Sequence, residues 1–243
     1  MSKEKSGITE QNFLLCEKTW IFILLSTVSG FLGAFTVIMR GGVFCNAQTA
    51  NFVFMAAALG KGNFSKGLYY LIPITAYFTG SCISEYLPTK IKKLFGVRWD
   101  TLLIGFEIIV IVVLALLPES LPVQISQIGI NFICSMQYNT FRQAENIPMA
   151  TTFCTNHLRQ TGVFFVKWLK NRDERAYSKR FFRHLKMLLS FVAGGVISSI
   201  MCTFFLGKAL LGAAILLLII FIRLLHADLT KEKNLLNKIP AGH

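Results

Sequence analysis

Charged residues are scarce in this sequence. Of its 243 residues, 15% are charged and 53% are hydrophobic, whereas a soluble domain of this size carries about 25% charged residues. The mean hydropathy is +0.55, and the apolar residues form long blocks instead of spaced core positions. An ordinary soluble domain is therefore excluded. The pattern predicts an all-α, polytopic membrane protein, because lipid cannot satisfy the backbone polar groups of open, irregular structure.

Acidic residues are the scarcer of the two charge types. There are 12 aspartates and glutamates against 25 lysines and arginines, which gives a net charge of +13. The basic residues cluster at 90–98, 169–186 and 223–238, each next to an apolar block. This distribution is typical of cytoplasmic loops near anionic lipid and argues against a nucleic-acid-binding protein.

Paired cysteines and a catalytic constellation are also missing. The six cysteines are scattered without a Cys-x-x-Cys pair, so we interpret them as small residues at helix contacts. Cys154 and His157 have helical spacing for shared metal ligation, but two ligands without a third are a weak metal signal. No set of nucleophile, base and orienting residue is recognisable. We expect no enzyme activity, no metal and no cofactor.

Six apolar blocks each approach the roughly 20 residues that a helix needs to span a bilayer. They are residues 20–39, 68–87, 101–117, 121–140, 187–206 and 209–225. The first block is too long for a signal peptide and has no small-residue cleavage site, so we expect it to be a span.

Two shorter apolar segments, 50–59 and 156–169, leave the number of spans open between six and eight. Eight spans would place the basic cluster 90–98 outside, against the positive-inside rule. Six spans place every strong cluster and both termini in the cytoplasm, at the cost of Lys61 and Lys66 outside. We therefore predict six transmembrane helices.

The two shorter segments then become re-entrant or half-length helices. Ten helical residues extend about 15 Å, half of the hydrocarbon thickness. We expect Thr49 to cap the first half-helix, and Thr155 or Asn156 to cap the second. Non-helical backbone at membrane depth must lie within protein or along a water-filled cavity. The polar stretch 40–52, RGGVFCNAQTANF, is predicted to be such a lead-in.

The single membrane domain, 1–243, is predicted to contain a repeat. Residues 17–118 and 120–227 share the order span, polar stretch, short helix, span, span. Each half has three crossings, so the halves must be inverted in a 3+3 arrangement. Inverted repeats with broken helices are a recurrent transporter design. A duplication retained only for packing is the alternative.

The polar residues near the two half-helices form the candidate solute site. Half-helix N-termini carry partial positive charge and free N–H groups, which suit an anionic or strongly polar small solute. The candidate binding residues are Arg40, Asn46, Gln48, Thr49, Asn51, Asn139, Arg142, Gln143, Thr151, Thr152, Thr155 and His157. For the two arginines, snorkelling to lipid headgroups is the alternative interpretation.

Two further features lie within the predicted spans. Glu107 is an ionisable residue inside an apolar block, which makes it a candidate for proton coupling. Small residues recur at a spacing of four, as in Ser26 with Gly30 and in Ser190, Gly194 and Ser198. This spacing predicts close packing of helices.

The stretch from Arg40 to Asn51 resembles a motif of the YoaK family of bacterial inner-membrane proteins, the domain of unknown function 1275. The family motif Arg-Gly-Gly-x-Phe-x-Asn-Ala-Gln-Thr-Gly-Asn is matched except that Ala50 replaces a glycine. A looser second motif is matched by Thr151, Thr152, Phe153 and Thr155. Gly33 stands where the family commonly has an aspartate. The resemblance implies a six-span protein of the bacterial inner membrane and supplies no substrate.

From these observations we expect a small-solute transporter or channel-like protein with a polar site at the membrane midplane. Its expected partners are the lipid bilayer and a small polar or anionic solute, and homo-oligomers are compatible with the sequence. A non-transporting membrane scaffold or regulator of a partner protein is the alternative.

Overall fold

The computed structural model describes residues 13–91 and 96–236, together with 238 and 240. The predicted cytosolic tail before residue 13, and Lys92 and Lys93 of the first basic cluster, lie outside the described residues. Within the described part, the chain is almost entirely helical, so the all-α prediction is confirmed.

The elements of the described chain run as follows. The helices are α1 (Thr19–Met39), α2 (Gln48–Gly60), α3 (Phe64–Tyr69), α4 (Leu71–Ile91), α5 (Trp99–Leu116), α6 (Val123–Thr140), α7 (Thr155–Lys170), α8 (Arg175–Phe205) and α9 (Leu211–Leu229). Short 3₁₀ turns cover Leu15–Glu17, Leu206–Leu210 and Lys233–Leu235. Strands β1 (Gln143–Ala144) and β2 (Ile147–Pro148) pair antiparallel between α6 and α7.

Each apolar block of the sequence corresponds to a helix. The six predicted spans become α1, α4, α5, α6, α8 and α9, and the two shorter segments become α2 and α7. Among the described residues, three helical stretches are both long and apolar enough to cross a membrane: Thr19–Met39, Trp99–Leu116 and Arg175–Leu229. The last of these contains α8 and α9, joined by a 3₁₀ turn.

Helix α1 packs along α8 through small residues. A side chain at Gly194 would clash with the Thr27 carbonyl, and one at Gly30 would clash with the Phe191 carbonyl. The Ser26 hydroxyl donates to the Met187 carbonyl at 3.0 Å. The predicted close packing at Gly30 and Gly194 is thus confirmed, and the two helices run in the same direction.

Helix α4 packs along α6 in the same manner. A side chain at Gly80 would clash with the Ser135 hydroxyl and the Phe132 carbonyl, and Glu85 lies beside Asn139 one turn further along both helices. Thus α1 packs parallel to α8, and α6 packs parallel to α4, so the first helix of each half of the chain contacts a long helix of the other half.

The two ends of the helix bundle differ in their charged contacts. At the basic face, where α1, α5 and α8 begin, the Arg98 amide donates to Asp228 at 3.0 Å, and Arg183 pairs with Glu145. At the opposite face, where α1 and α5 end, Arg40 pairs with Glu119 at 3.1 Å. The bundle thus has two defined ends, and every described residue of the clusters at 169–186 and 223–238 lies toward the basic one.

Helix α8 begins 12 residues earlier than the span predicted from residue 187. The basic cluster was expected to be a loop, but it is helical from Arg175. Glu174 caps this end by accepting from the Ala176 amide at 3.4 Å, and Trp168 of α7 stacks on Phe181 of α8. Aromatic packing against α7 therefore extends the helix beyond the apolar block.

Candidate functional site

Loop A, residues 40–47, reverses the chain after α1. Gly41 and Gly42 have φ angles of 72° and 73°, a left-handed conformation that residues with a Cβ avoid. Their tandem turn sends the chain from the opposite face back into the protein. The Gln127 side chain holds this turn by donating to the Arg40 carbonyl at 2.8 Å. The stretch predicted to be an unwound lead-in is indeed non-helical.

Asn46 fixes the inner end of loop A halfway along α1. Its amide donates to the Ser29 carbonyl at 2.9 Å, and the residue is only 3% exposed. A side chain at Gly33 would lie 2.9 Å from the Asn46 amide nitrogen. Gly33 therefore leaves room for the Asn46 side chain.

Gln48 and Asn51 hold the start of α2 in place. The Gln48 amide donates to Asn131, near the middle of α6, at 2.8 Å. The Asn51 side chain accepts from the Phe44 amide and donates to the Phe44 carbonyl, at 3.1 and 2.7 Å. Both residues therefore serve loop A. Because Asn46 and Gln48 contact α1 and α6 about halfway along those helices, α2 starts at the middle level of the bundle.

The predicted cap of α2 is wrong. Thr49 is the second residue of the helix and is exposed, and the N-cap is Ala47, which makes no side-chain cap hydrogen bond. Alanine has no side-chain acceptor, and the side chain of Asn51, the fourth residue of α2, is used on loop A. The first N–H groups of α2 consequently have no side-chain acceptor at the N-cap.

Loop B, residues 141–154, leads into α7. It begins with the β1–β2 hairpin, whose turn residues Glu145 and Asn146 have φ angles of 46° and 62°. Glu145 anchors the hairpin by accepting from the Thr19 amide at 3.2 Å and by pairing with Arg183. Gln143, a predicted site residue, lies in β1, at the basic face and away from the start of α7.

The start of α7 resembles that of α2. Its N-cap is Cys154, again without a side-chain cap hydrogen bond, and Thr155 is the first helical residue. The prediction of Thr155 or Asn156 as the cap is therefore wrong, because the helix starts one residue earlier. The Thr151 and Thr152 hydroxyls are buried and have no hydrogen-bond partner of good geometry in the described part of the chain, although the Tyr77 phenol lies beside Thr152.

Loops A and B meet at one cavity of about 530 Å³ between α1 and α8. Its polar lining comes from Asn46 of loop A, Thr152 of loop B and Thr155 of α7. The N-caps of both half-helices, Ala47 and Cys154, also line it. The predicted meeting of the two polar segments is therefore observed for these residues, more than 100 positions apart in the sequence.

The remainder of the cavity lining is apolar and was not predicted. It includes three aromatic side chains, Phe44, Phe153 and Phe191, and the exposed aliphatic side chains Val37 and Val192. Phe44 and Phe153 belong to the two matched motifs. Their positions within polar segments of an otherwise apolar protein were the available sequence signal.

A second cavity of about 500 Å³ lies beside the end of α6, toward the basic face. Two predicted site residues, Asn139 and Arg142, line it together with Tyr138 and Asn156. Phe153 lines both cavities, and its ring lies 5.0 Å from that of Tyr138. We call this second, more polar cavity the vestibule and the first one the middle-level cavity. Phe153 therefore lies between the vestibule and the middle-level cavity.

Both predicted site arginines have carboxylate partners. Arg40 is buried and pairs with Glu119, which also accepts from the Gly207 amide at 2.7 Å. Arg142 pairs with Glu85 at 2.7 Å. At the opposite face, Arg40 thus joins the end of α1 to the α5–α6 connection and, through Glu119, to the α8–α9 connection. Arg40 does not line either cavity, whereas Arg142 lines the vestibule.

His157 is a buried structural contact of α7. Its Nδ1 lies 2.9 Å from Nδ1 of His184 on α8, and its Nε2 lies 2.7 Å from the Ala150 carbonyl. Burial lowers the pKa of His157, and the Ala150 carbonyl partly opposes this effect. The neutral imidazole links loop B, α7 and α8 one turn away from the cavity.

Glu107, the predicted coupling residue, lies in the middle of α5 and is 1% exposed. Both of its carboxylate oxygens are buried without a hydrogen-bond partner among the described residues. It is absent from the lining of the two cavities described above. In this respect it differs from Arg40 and Arg142, which both pair with carboxylates.

Comparison with protein families matches residues 21–223 to DUF1275, a family described as proteins of unknown function. The match spans loops A and B and confirms the resemblance found in the motifs. No curated protein and no solved structure matches the chain. The functional argument therefore depends on the cavities and on the residues that build them.

Proposed function

Because the chain belongs to the DUF1275 family, whose function is unknown, and folds into apolar helices long enough to cross a membrane, we propose that it is a transporter or channel-like protein for a small solute. One observation carries this proposal: loops A and B line a single cavity with the uncapped starts of two half-helices. Irregular backbone inside a membrane protein is tolerated where it lines such a cavity.

The proposal includes six spans arranged as an inverted 3+3 repeat. Exchanging the halves pairs α1 with α6, α2 with α7, α4 with α8 and α5 with α9. This exchange converts the α1–α8 contact into the α6–α4 contact. Each contact contains a tightly packed glycine, which is Gly194 in the α1–α8 contact and Gly80 in the α6–α4 contact. Helices α2 and α7 have 13 and 16 residues, about 20 and 24 Å, too short for a full crossing at 1.5 Å per residue.

In the proposed orientation the basic face is cytoplasmic. Arg98, Arg183 and the basic start of α8 belong to that face, whereas Lys61, Lys66 and Lys208 lie toward the other. This asymmetry follows the positive-inside rule. With six spans, both termini would be cytoplasmic, and the family resemblance supports a location in the bacterial inner membrane.

The proposed solute path begins at the vestibule on the basic face. Arg142 and Asn139 line this vestibule, and Phe153 separates it from the middle-level cavity. Rotation of the Phe153 ring away from Tyr138 would join the two spaces. We assign Phe153 the role of a barrier on the cytoplasmic side of the solute site.

The proposal also gives Glu107 a role in coupling solute transport to a proton gradient. An ionised carboxylate buried without a partner is costly, so this side chain is best accommodated with a bound proton. If a proton leaves and returns during transport, Glu107→Gln would prevent that exchange. The variant should retain passive solute exchange and lose any accumulation driven by a proton gradient.

Solute flux into proteoliposomes tests the proposed function. The purified full-length protein is reconstituted, and uptake of a panel of small anions and neutral solutes is compared with that of protein-free liposomes. We expect at least one solute to enter faster with the protein, Phe153→Ala to raise that rate, and Asn46→Leu to lower it. The change at Asn46 removes the hydrogen bond that positions loop A beside the cavity.

A matched substitution outside the path provides the control. Phe182 is an exposed aromatic residue of α8, so Phe182→Ala should leave the flux unchanged. If neither wild type nor Phe153→Ala exceeds protein-free liposomes for any solute, the transport proposal fails. A scaffold or regulator of a partner protein, the alternative function, would give that result.

A further inference from the structure

The polar end of the middle-level cavity is built to receive negative charge. The N-caps of α2 and α7, Ala47 and Cys154, both line it, and neither makes a side-chain cap hydrogen bond. Uncapped N-termini leave backbone N–H groups without partners and carry partial positive charge. An acceptor inside the cavity could satisfy the N–H groups that the N-cap side chains leave free.

A buried hydroxyl supports this assignment independently. Thr152 lines the cavity and is 0% exposed. Its hydroxyl has the Tyr77 phenol beside it but no hydrogen bond of good geometry among the described residues. A buried hydroxyl without a partner is unfavourable unless a ligand or water supplies one. Thr152 can donate to an acceptor at the same end of the cavity as the start of α7.

Charged side chains are missing from the described lining of this cavity. The nearest predicted candidates, Arg40 and Arg142, are paired with Glu119 and Glu85. Positive charge at the cavity therefore comes only from backbone N–H groups and helix dipoles, which suits a single negative charge. There is likewise no carboxylate in the lining to repel an anion.

The rest of the lining selects for an apolar body. Phe44, Phe153 and Phe191, together with Val37 and Val192, line the rest of the cavity. Each methylene group that such a surface removes from water adds to the binding affinity. A small hydrated anion would leave this apolar surface unused, whereas an amphipathic anion would cover it.

We propose that the middle-level cavity binds a monocarboxylate with an apolar chain or ring. Its carboxylate accepts hydrogen bonds from the start of α7 and from Thr152, and its apolar part lies against Phe44, Phe153 and Phe191. This assignment rests on the proposed function, because it names the solute class of the same site. It narrows the anionic or strongly polar solute expected from the sequence to an amphipathic monoanion.

Calorimetric titration of the full-length protein in nanodiscs tests the charge requirement, with empty nanodiscs as the blank. Hexanoate, hexanamide and hexylammonium have similar apolar chains and differ in the head group. Hexanoate should bind about fivefold or more tightly than hexanamide, given the strength of helix-terminus interactions with anions. Hexylammonium should not bind, and acetate should bind about a hundredfold more weakly than hexanoate.

Two substitutions at Cys154 separate charge from shape. Cys154→Asp places a carboxylate at the N-cap of α7, where it caps the helix and repels the ligand, so hexanoate binding should be lost while thermal stability is retained or increased. Cys154→Asn adds a neutral cap of the same shape and should retain much more of the affinity. Thr152→Val should weaken hexanoate about three- to tenfold through the lost hydrogen bond.

The possible results distinguish this inference from the proposed function. Equal affinity for hexanoate and hexanamide, or unchanged hexanoate binding in a folded Cys154→Asp variant, would overturn the anion assignment. Binding of hexanamide alone would do the same and leave the solute site in place. If none of the probes binds but other solutes cross proteoliposomes, only the monocarboxylate assignment fails. If there is neither binding nor flux, both proposals fail.

Discussion

Arg40 shows how the partner of a residue changes the interpretation of a motif. In the sequence it opens the polar stretch and is a candidate anion ligand. In the structure its guanidinium is buried against Glu119, 79 residues away in sequence, and also donates to the Met39 carbonyl. A contact over this distance in sequence has no local signal, so its role could not be read from the motif.

The first prediction concerns this pair. Arg40→Gln and Glu119→Gln should each lower the thermal unfolding midpoint, and the double variant should lose less than the sum. The coupling should be about 1 kcal/mol, because the Glu119 side chain is half exposed and solvent screens the interaction. Hexanoate affinity should stay within about twofold of wild type, since Arg40 does not line the cavity. A large loss of affinity with unchanged stability would restore Arg40 as a ligand.

The second prediction is a pH dependence at His157. Burial lowers the pKa of His157 in the folded protein, so folding favours the neutral imidazole. Its stabilising contribution is complete above the unfolded-state pKa of about 6.5 and declines as the pH falls below that value toward the folded pKa. Thermal unfolding between pH 5 and pH 7 should therefore show a decreasing midpoint toward acid.

Two glutamine variants test the source of this pH dependence. His157→Gln should flatten the acid side of the stability profile relative to wild type. His226 is an exposed histidine near the end of α9, so His226→Gln should leave the profile unchanged. A profile that is equally steep in the His157 variant would exclude His157 as the titrating group.

At the scale of elements, the helices could be predicted from the sequence, but the starts of α2 and α7 could not. Long apolar blocks placed α1, α5 and α9 within a few residues, because burial in lipid or protein requires a continuous apolar surface. The starts of α2 and α7 were each predicted one or more residues late, since Thr49 and Thr155 are good capping residues by type. Tertiary contacts place the starts at Gln48 and Thr155, with Ala47 and Cys154 as caps.

The third prediction tests the close approach of α1 and α8. A Cβ at Gly194 would clash with the Thr27 backbone, whereas a Cβ at the adjacent Gly195 would lie 3.6 Å from the Gly30 carbonyl, an ordinary contact. Gly194→Ala should destabilise the protein by about 1–3 kcal/mol through overpacking. Gly195→Ala should be tolerated. Equal thermal unfolding midpoints for the two variants would contradict the observed helix contact.

At the scale of the whole molecule, the distribution of charged residues and the direction of the packed helices both indicate a bundle with two distinct ends. The predicted repeat rests in sequence only on the shared order of elements. In the structure, α1 packs along α8 at Gly194 and α4 packs along α6 at Gly80, and the inverted repeat stays a proposal. The β1–β2 hairpin has no counterpart in loop A and was not predicted, because two-residue strands leave no periodic pattern in the sequence.

The fourth prediction concerns orientation in the membrane. Arg175→Cys and Lys61→Cys are compared in a background without other accessible cysteines, using a membrane-impermeant maleimide. The cysteine at 175 should react only in inside-out vesicles, and the one at 61 only in spheroplasts, as positive-inside charge distribution requires. Reaction of both positions from the same side would exclude the six-span arrangement.

Cross-linking between the starts of the two half-helices tests the central claim most directly. Ala47→Cys is combined with the native Cys154, the other five cysteines are replaced by serine, and a short bifunctional methanethiosulfonate is added to the protein in membranes. Because burial raises the pKa of Cys154, the reaction is run at alkaline pH. Since both residues line one cavity, mass spectrometry should detect an intramolecular link between positions 47 and 154.

The control Lys61→Cys, at the far end of α2, should give no link to Cys154. A link from position 61 but not from position 47, or none from either while both thiols react singly, would contradict a shared site.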